Sequence, residues 1–167
     1  MAGRGEVLLT LVSILGVGLI LVLNNLPPSA PRRLFSINNL KRTLDQIQAT
    51  NPVDGPSADL SIPGCEDYYN FSLLDDSIVL RLDSLGDDSQ KRRLAFEHEA
   101  EELGFVAEWP NEHEFGLEKS IAVRLGGDTS RAAASAAQIM DTISGIRGGS
   151  PITVSTTGFN AEWKEDA

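Results

Sequence analysis

Cysteine, histidine and basic residues are all scarce in this chain, and each shortage removes a class of protein. The one cysteine, Cys65, excludes an internal disulfide framework and a cysteine-rich zinc cage. Fourteen Lys and Arg stand against 24 Asp and Glu, for a net charge of −10. That balance argues against a binder of phosphate backbones, which displaces counterions with clustered Lys and Arg. Two histidines outside any motif leave no Ser-His-Asp set to assemble. Fifteen glycines and eight prolines are ordinary usage, so neither collagen nor a low-complexity chain is in view. A length of 167 residues suits one domain with additional segments.

The charge is unevenly placed. Residues 1–58 carry five basic and three acidic side chains, and residues 59–167 carry nine and 21. Two regions of different character are implied. Val7 to Leu23 holds no charge and only Thr10 and Ser13 as polar residues. As a helix it would measure about 26 Å, close to a ~30 Å hydrocarbon core. Its apolar residues occupy every face, so it requires lipid or deep protein around it. Pro27, Pro28 and Pro31 then stop a helix. Residues 1–26 are therefore expected to be a single-pass transmembrane anchor in the cell membrane. A cleaved signal peptide is the rival, with Pro28-Ser29-Ala30 as its poor cleavage site. Arg32, Arg33, Lys41 and Arg42 follow the span, against Arg4 before it, which leans the following domain toward the cytoplasmic side.

Residues 27–49 are expected to form a proline break and a short amphipathic stem helix capped by Ser36. Ile37, Leu40, Leu44 and Ile47 recur at spacings of three, four and three, the pattern of a coiled-coil seam. Two heptads serve either as a short self-associating stem, as a membrane-surface helix with Lys41 and Arg42 at the headgroups, or as a helix packed on its own domain. Residues 50–67, rich in proline and glycine, are expected to be a linker.

From residue 68 to 160 the periodicities alternate in an orderly way. Ser77–Asp83 (SIVLRLD) alternates as a strand, and Asp87-Asp88-Ser89 opens a helix with Leu94, Ala95, Phe96, Ala100 and Leu103 as its apolar residues. Gly104 is placed to end it. Phe105–Trp109, Ser120–Leu125 and Ile152–Thr156 read as strands. Gly126-Gly127 turns the chain into a helix capped by Asp128 or Thr129, with Ala132, Ala136, Ile139, Met140 and Ile143 as its core stripe. The order β-α-β-β-α-β predicts an α+β, ferredoxin-like domain, a four-stranded antiparallel sheet with both helices on one face. Residues 161–167 form an acidic tail in which Trp163 either anchors the chain end or meets a partner.

No motif in the chain names a family or a reaction. His98 and Glu102 are spaced i,i+4, yet a zincin needs a second histidine where Glu102 stands. Glu101-Glu102-Leu103-Gly104-Phe105 matches only the tail of a Nudix box, without its upstream residues. Gly126-Gly127-Asp128-Thr129-Ser130 lacks the lysine of a P-loop, and Asp128 would repel a phosphate. Glu97 to Glu118 contains eight acids and no Lys or Arg, with His113 between Glu112 and Glu114. That run reads first as a solvated, repulsive surface; as a contact it suits a cationic protein partner better than a metal. Cys65, beside Glu66 and Asp67, carries no sign of a nucleophile.

The sequence-based expectation is therefore a non-enzymatic membrane protein contributing an acidic domain, as scaffold or accessory subunit, to a larger membrane complex. No catalytic residue, metal or cofactor is expected. Its partners would be other membrane-complex subunits with a basic surface and the lipid bilayer, not nucleic acid. Contact residues would be Ile37, Leu40, Leu44, Ile47, Glu112 and Glu114, with self-association through the stem. The alternative is a membrane-anchored ligand- or metal-sensing domain using His98, Glu102 and His113.

Overall fold

Period-two alternation decides the architecture, because each strand turns every second side chain to the same side. The computed structural model describes residues 32–109, 120–161 and 163, within a compact unit spanning Pro31–Ala167. In chain order these are β1 (Arg32–Leu34), α1 (Ile37–Ala49), a 3-10 turn (Pro52–Asp54), β2 (Ser57–Ser61), β3 (Asp67–Leu74), β4 (Ser77–Ser84), α2 (Ser89–Glu102), β5 (Ala107–Glu108), β6 (Ser120–Gly126), α3 (Thr129–Ser144) and β7 (Pro151–Thr157). The strands form one antiparallel sheet in the order β1-β7-β2-β3-β4-β6-β5. Ala58 and Leu60, Tyr69 and Phe71, Ile78, Leu80 and Leu82, and Ile121 and Val123 are all buried in one core with residues of the three helices. One sheet face is thus covered and the other left open.

The four-stranded ferredoxin-like expectation is corrected. A ferredoxin-like sheet would set β7 against β4, but the β2–β3 hairpin stands between them, and β1 adds a seventh strand beyond β7. The pairings of β4 with β6 and of β6 with β5 remain. Ser57–Ser61, expected within a linker, is an interior strand paired on both sides. Its flanking prolines frame it without breaking it, since Pro52 begins the 3-10 turn and Gly55, at φ 57°, reverses the chain into β2. β3 and β4 join through Asp75 and Asp76, both at positive φ (49° and 61°), the two-residue turn whose twist matches a hairpin.

The expected helix ends are found. The Ser36 side chain accepts from Asn39 N at 3.1 Å, and Asp128 accepts from Ser130 N and Arg131 N at 2.9 and 3.1 Å. Gly104 N donates to Glu101 O and Phe105 N to Ala100 O, both at 2.9 Å, closing α2 as a Schellman motif. Within α2, Phe96 and Ala100 are buried but Leu94 is 52% exposed. Two residues before Phe96, it lies about 200° around the helix from it.

Leu40, Leu44 and Ile47 are fully buried, in the same core as Tyr69 and Ile139, whereas Ile37 is 44% exposed. The apolar stripe of the stem is therefore spent within its own domain. Burial of each such side chain contributes about 1.5–3 kcal/mol. Asp45 fastens α1 to α3, accepting from Thr129 Oγ1 at 2.5 Å and from Lys41 Nζ at 2.7 Å. Burial raises the Asp45 carboxyl pKa, but the hydrogen bonds from Lys41 and Thr129 and the Lys41 charge outweigh it and hold the group below its ordinary range. Trp163 is buried too, its indole donating to Thr43 Oγ1 at 3.1 Å. It anchors the chain end.

The expected anchor at residues 1–26 and the candidate contacts Glu112 and Glu114, with His113, lie outside the described residues. Among the described residues, no helix is long and apolar enough to cross a membrane.

Leu44→Ala should lower unfolding stability in urea by about 2–5 kcal/mol, the cost of a buried leucine cavity. Subunit number measured by light scattering in detergent should stay unchanged; a variant of wild-type stability that dissociates would restore the stem to an intermolecular role.

Candidate functional site: an open sheet face and a buried carboxylate

Two arrangements concentrate polar chemistry in the described residues, and they differ in access to solvent. The first is built around Asp67 at the start of β3, where the inward alternation that buries Tyr69 and Phe71 also buries a carboxylate, 2% exposed. An unpaired carboxylate there would be costly, so neighbouring elements supply donors. Ser84 Oγ of β4 donates to Oδ1 at 2.7 Å, and Ser144 Oγ at the end of α3 donates to Oδ2 at 2.9 Å. Arg92 of α2 forms a close ion pair with the same Oδ2, and Cys65 Sγ donates to it at 3.4 Å. Because the Ser144 proton goes to Asp67, Tyr69 donates its own to Ser144 Oγ, at 2.5 Å. The hydrogen bond to the Cys65 sulfur raises the Arg92 pKa, burial opposes it, and the Asp67 charge and hydrogen bond add to the rise, which prevails.

This network ties two helices and two strands to one carboxylate. Among the described residues, no buried side-chain nitrogen or oxygen lacks a hydrogen-bond partner. Its groups are engaged with one another, which is the condition of a structural lock.

The second arrangement is the open sheet face. Its residues are the outward members of each alternation: Ser57, Asp59 and Ser61 of β2, Tyr68, Asn70, Ser72 and Leu74 of β3, and Val79, Arg81 and Asp83 of β4. Cross-strand bonds order much of it. Asn70 Nδ2 donates to Asp59 Oδ1 at 2.7 Å, Ser61 and Thr153 hydroxyls meet at 2.5 Å, and Asp83 takes Ser120 Oγ together with Arg81 Nε, the latter at 3.1 Å. Toward β5 the surface becomes apolar and concave. Leu74, Val79, Ala122, Val123 and Trp109 line a groove of about 320 Å³, with Glu108 and Arg124 at its rim. Arg124 is held between Glu108 and Asp75, at 3.5 and 3.6 Å. Trp109 is fixed from α2, with Glu97 accepting its indole N–H at 3.1 Å and the Arg93 guanidinium 5.3 Å from its ring centre.

The sequence-predicted site residues are not brought together here. Leu40, Leu44 and Ile47 are in the core, and Ile37 is on the surface at the start of α1. His98 and Glu102 are exposed on α2, where neighbouring Glu99 accepts from Gln138 at 2.8 Å. Among the described residues, no group of three His, Cys, Asp or Glu side chains is placed to hold a metal ion. Conversely, sequence reasoning passed over Asp67, Arg92, Ser144 and the groove residues. The signal for Asp67 lay in β3, DYYNFSLL, whose alternation puts it on the same face as Tyr69 and Phe71.

No family model, curated protein or solved structure matches the chain.

Removing Arg92 (Arg92→Ala) should destabilise the fold by about 3 kcal/mol, since it strands a buried carboxylate. Urea denaturation measures it. Tyr69 gives a pH signature: burial pushes its phenol well above the ordinary range, against the opposing effect of the Ser144 bond. The folded state therefore holds this proton more tightly than the unfolded chain. Its stabilising contribution is complete below the unfolded value of about 10 and is lost as pH rises from there through the folded value. Tyr69→Phe should flatten the decline in urea midpoint between about pH 9 and 11 relative to wild type; identical slopes would show that Tyr69 ionises equally in both states.

Proposed function

We propose that the chain is a non-enzymatic, membrane-tethered docking subunit of a larger complex. Its hydrophobic segment Val7–Leu23 holds it in the bilayer, and its open sheet face receives a partner protein. The groove lined by Leu74, Val79 and Ala122 carries this reading, because it sets a concave apolar surface of side-chain size into a largely polar face. A partner side chain seated there would exclude water from Leu74, now 46% exposed. Glu108 at the rim and Asp75, which pairs with Arg124, outnumber that arginine, which suits a partner segment with a cationic residue beside its apolar one.

The second support is the saturation of the Asp67 network. Its carboxylate, hydroxyls and guanidinium hold one another at the opposite end of the β3–β4 hairpin from the groove, an arrangement suited to rigidity of the strands that carry it. A rigid sheet also lowers the entropy cost of docking, since the surface is ordered before the partner arrives.

A photo-crosslinker in place of Val79, in full-length chain within its native membrane, should yield a discrete adduct with one partner. The double variant Leu74→Ser, Val79→Ser should weaken capture of that partner about 30-fold, the loss of roughly 2 kcal/mol expected at an interface hot spot. Undiminished capture by the folded double variant would remove the groove from the interface, and a detergent-extracted chain that is monomeric and unaccompanied would remove the docking function.

A further inference from the structure

Basic residues are segregated to a degree that the net charge hides. Residues 32–42 carry four basic and no acidic side chains, while residues 43–167 carry nine and 23. In the fold this stretch is β1 and the first turns of α1. β1 closes one end of the sheet, and its pairings of Arg32 with Thr153 and Leu34 with Pro151 set Arg32 and Leu34 on the open face. Arg32 is exposed, and Leu34 is 62% exposed. Ile37, at the start of α1, is 44% exposed. Arg42 is exposed further along the helix, where it donates to Asn39 Oδ1 at 3.0 Å. Lys41 is engaged by Asp45, so it adds less to the field than the arginines.

The fold then adds a cation that the sequence pattern alone does not. Phe35 N donates to Ser150 O at 2.8 Å, and Gly149 N donates to Phe35 O at 2.9 Å. These bonds pin the α3–β7 connection, with its exposed Arg147, against the residue midway between Leu34 and Ile37. Two large apolar side chains held in water are thus accompanied by arginines drawn from opposite ends of the chain.

We infer that this β1–α1 corner rests on an anionic lipid surface, with Leu34 and Ile37 at the headgroup boundary and Arg32, Arg42 and Arg147 against phosphate and carboxylate headgroups. Charge complementarity selects the occupant: the corner is cationic in an otherwise acidic domain. Chain length agrees with it. Eight residues separate Leu23 from Arg32, a reach of at most about 30 Å, so a hydrophobic run seated in lipid keeps the corner near the interface. Exposed leucine and isoleucine beside arginine form the apolar and basic pairing of an interfacial surface. The inference rests on the membrane-tethered reading for proximity, though not for the surface chemistry. Each arginine should strengthen the contact about five-fold, and salt should weaken it because exposed charges interact over a Debye length of about 8 Å at physiological ionic strength.

The test uses full-length chain in nanodiscs of phosphatidylcholine, with and without phosphatidylserine. Leu34→Trp reports on the corner through quenching by brominated acyl chains, read as the increment over the native tryptophans. With phosphatidylserine the introduced indole should be blue-shifted and quenched, and adding Arg32→Glu and Arg147→Glu should reverse both effects at least tenfold. An inserted chain whose introduced indole stays in water overturns the inference, as does equal quenching in both lipids. Amide protection of residues 32–37 by polyglutamate, but not by the anionic discs, overturns it in favour of an acidic polypeptide. If the chain does not enter discs, the tether reading falls separately. Sedimentation with phosphatidylserine vesicles then decides the surface, where Arg-dependent binding upholds it and absence of binding overturns it.

Discussion

A helix is about as wide as two neighbouring strands, and that equality governs this fold. A ferredoxin-like sheet of four strands needs two helices to cover one face. Inserting the β2–β3 hairpin between β7 and β4 widens the sheet by about 10 Å and would leave Ala58, Leu60, Tyr69 and Phe71 uncovered. α1 supplies the missing cover, with Leu40, Leu44 and Ile47 entering the core that those four residues share. Hairpin and helix are therefore one addition. Neither is stable without the other, because each offers an apolar surface that only the other covers.

The same constraint explains which parts of the fold were legible. β4, β6 and β7 announce themselves through β-branched and leucine alternation, and α2 and α3 through their caps and glycine stops. β2 was hidden because SADLS holds only Ala58 and Leu60 as apolar residues and lies between Pro56 and Pro63. β3 carries a clear alternation of Tyr69, Phe71 and Leu73, but residues 68–76 were placed in the domain without being read as a strand. The α1 stripe was seen correctly as apolar. Its destination stayed open between a self-associating stem, a membrane-surface helix and its own domain, since a coiled-coil seam and a core-facing stripe share one spacing and differ only in what lies opposite. The groove had no sequence signature at all. Leu74, Val79, Glu108 and Ala122 come from four strands, and only the register brings them together.

Polar residues divide along the same two-sided plan. On the covered face Asp67 gathers every donor within reach and turns charge into cross-linking of helices and strands. On the open face Asn70 bonds to Asp59 and Ser120 to Asp83 across the strands, and Arg81 bonds to Asp83 along β4. Apolar residues appear on that face chiefly at two places, the groove near β5 and Leu34 on β1, at opposite edges of the sheet. A membrane contact at one edge would leave the other free for a protein, so the two surfaces would not compete.

The pairing of β7 with both β1 and β2, and the seating of Trp163 on Thr43, join residues 151–163 to residues 32–61. During synthesis α1 emerges well over a hundred residues before its indole lid, and its leucines have no complete binding surface until α3 and β7 leave the ribosome. Until Trp163 is made, the apolar face of α1 lacks part of its cover. A chain cut within β7 would lose, in one event, the strand that joins β1 to β2 and the indole that covers Thr43.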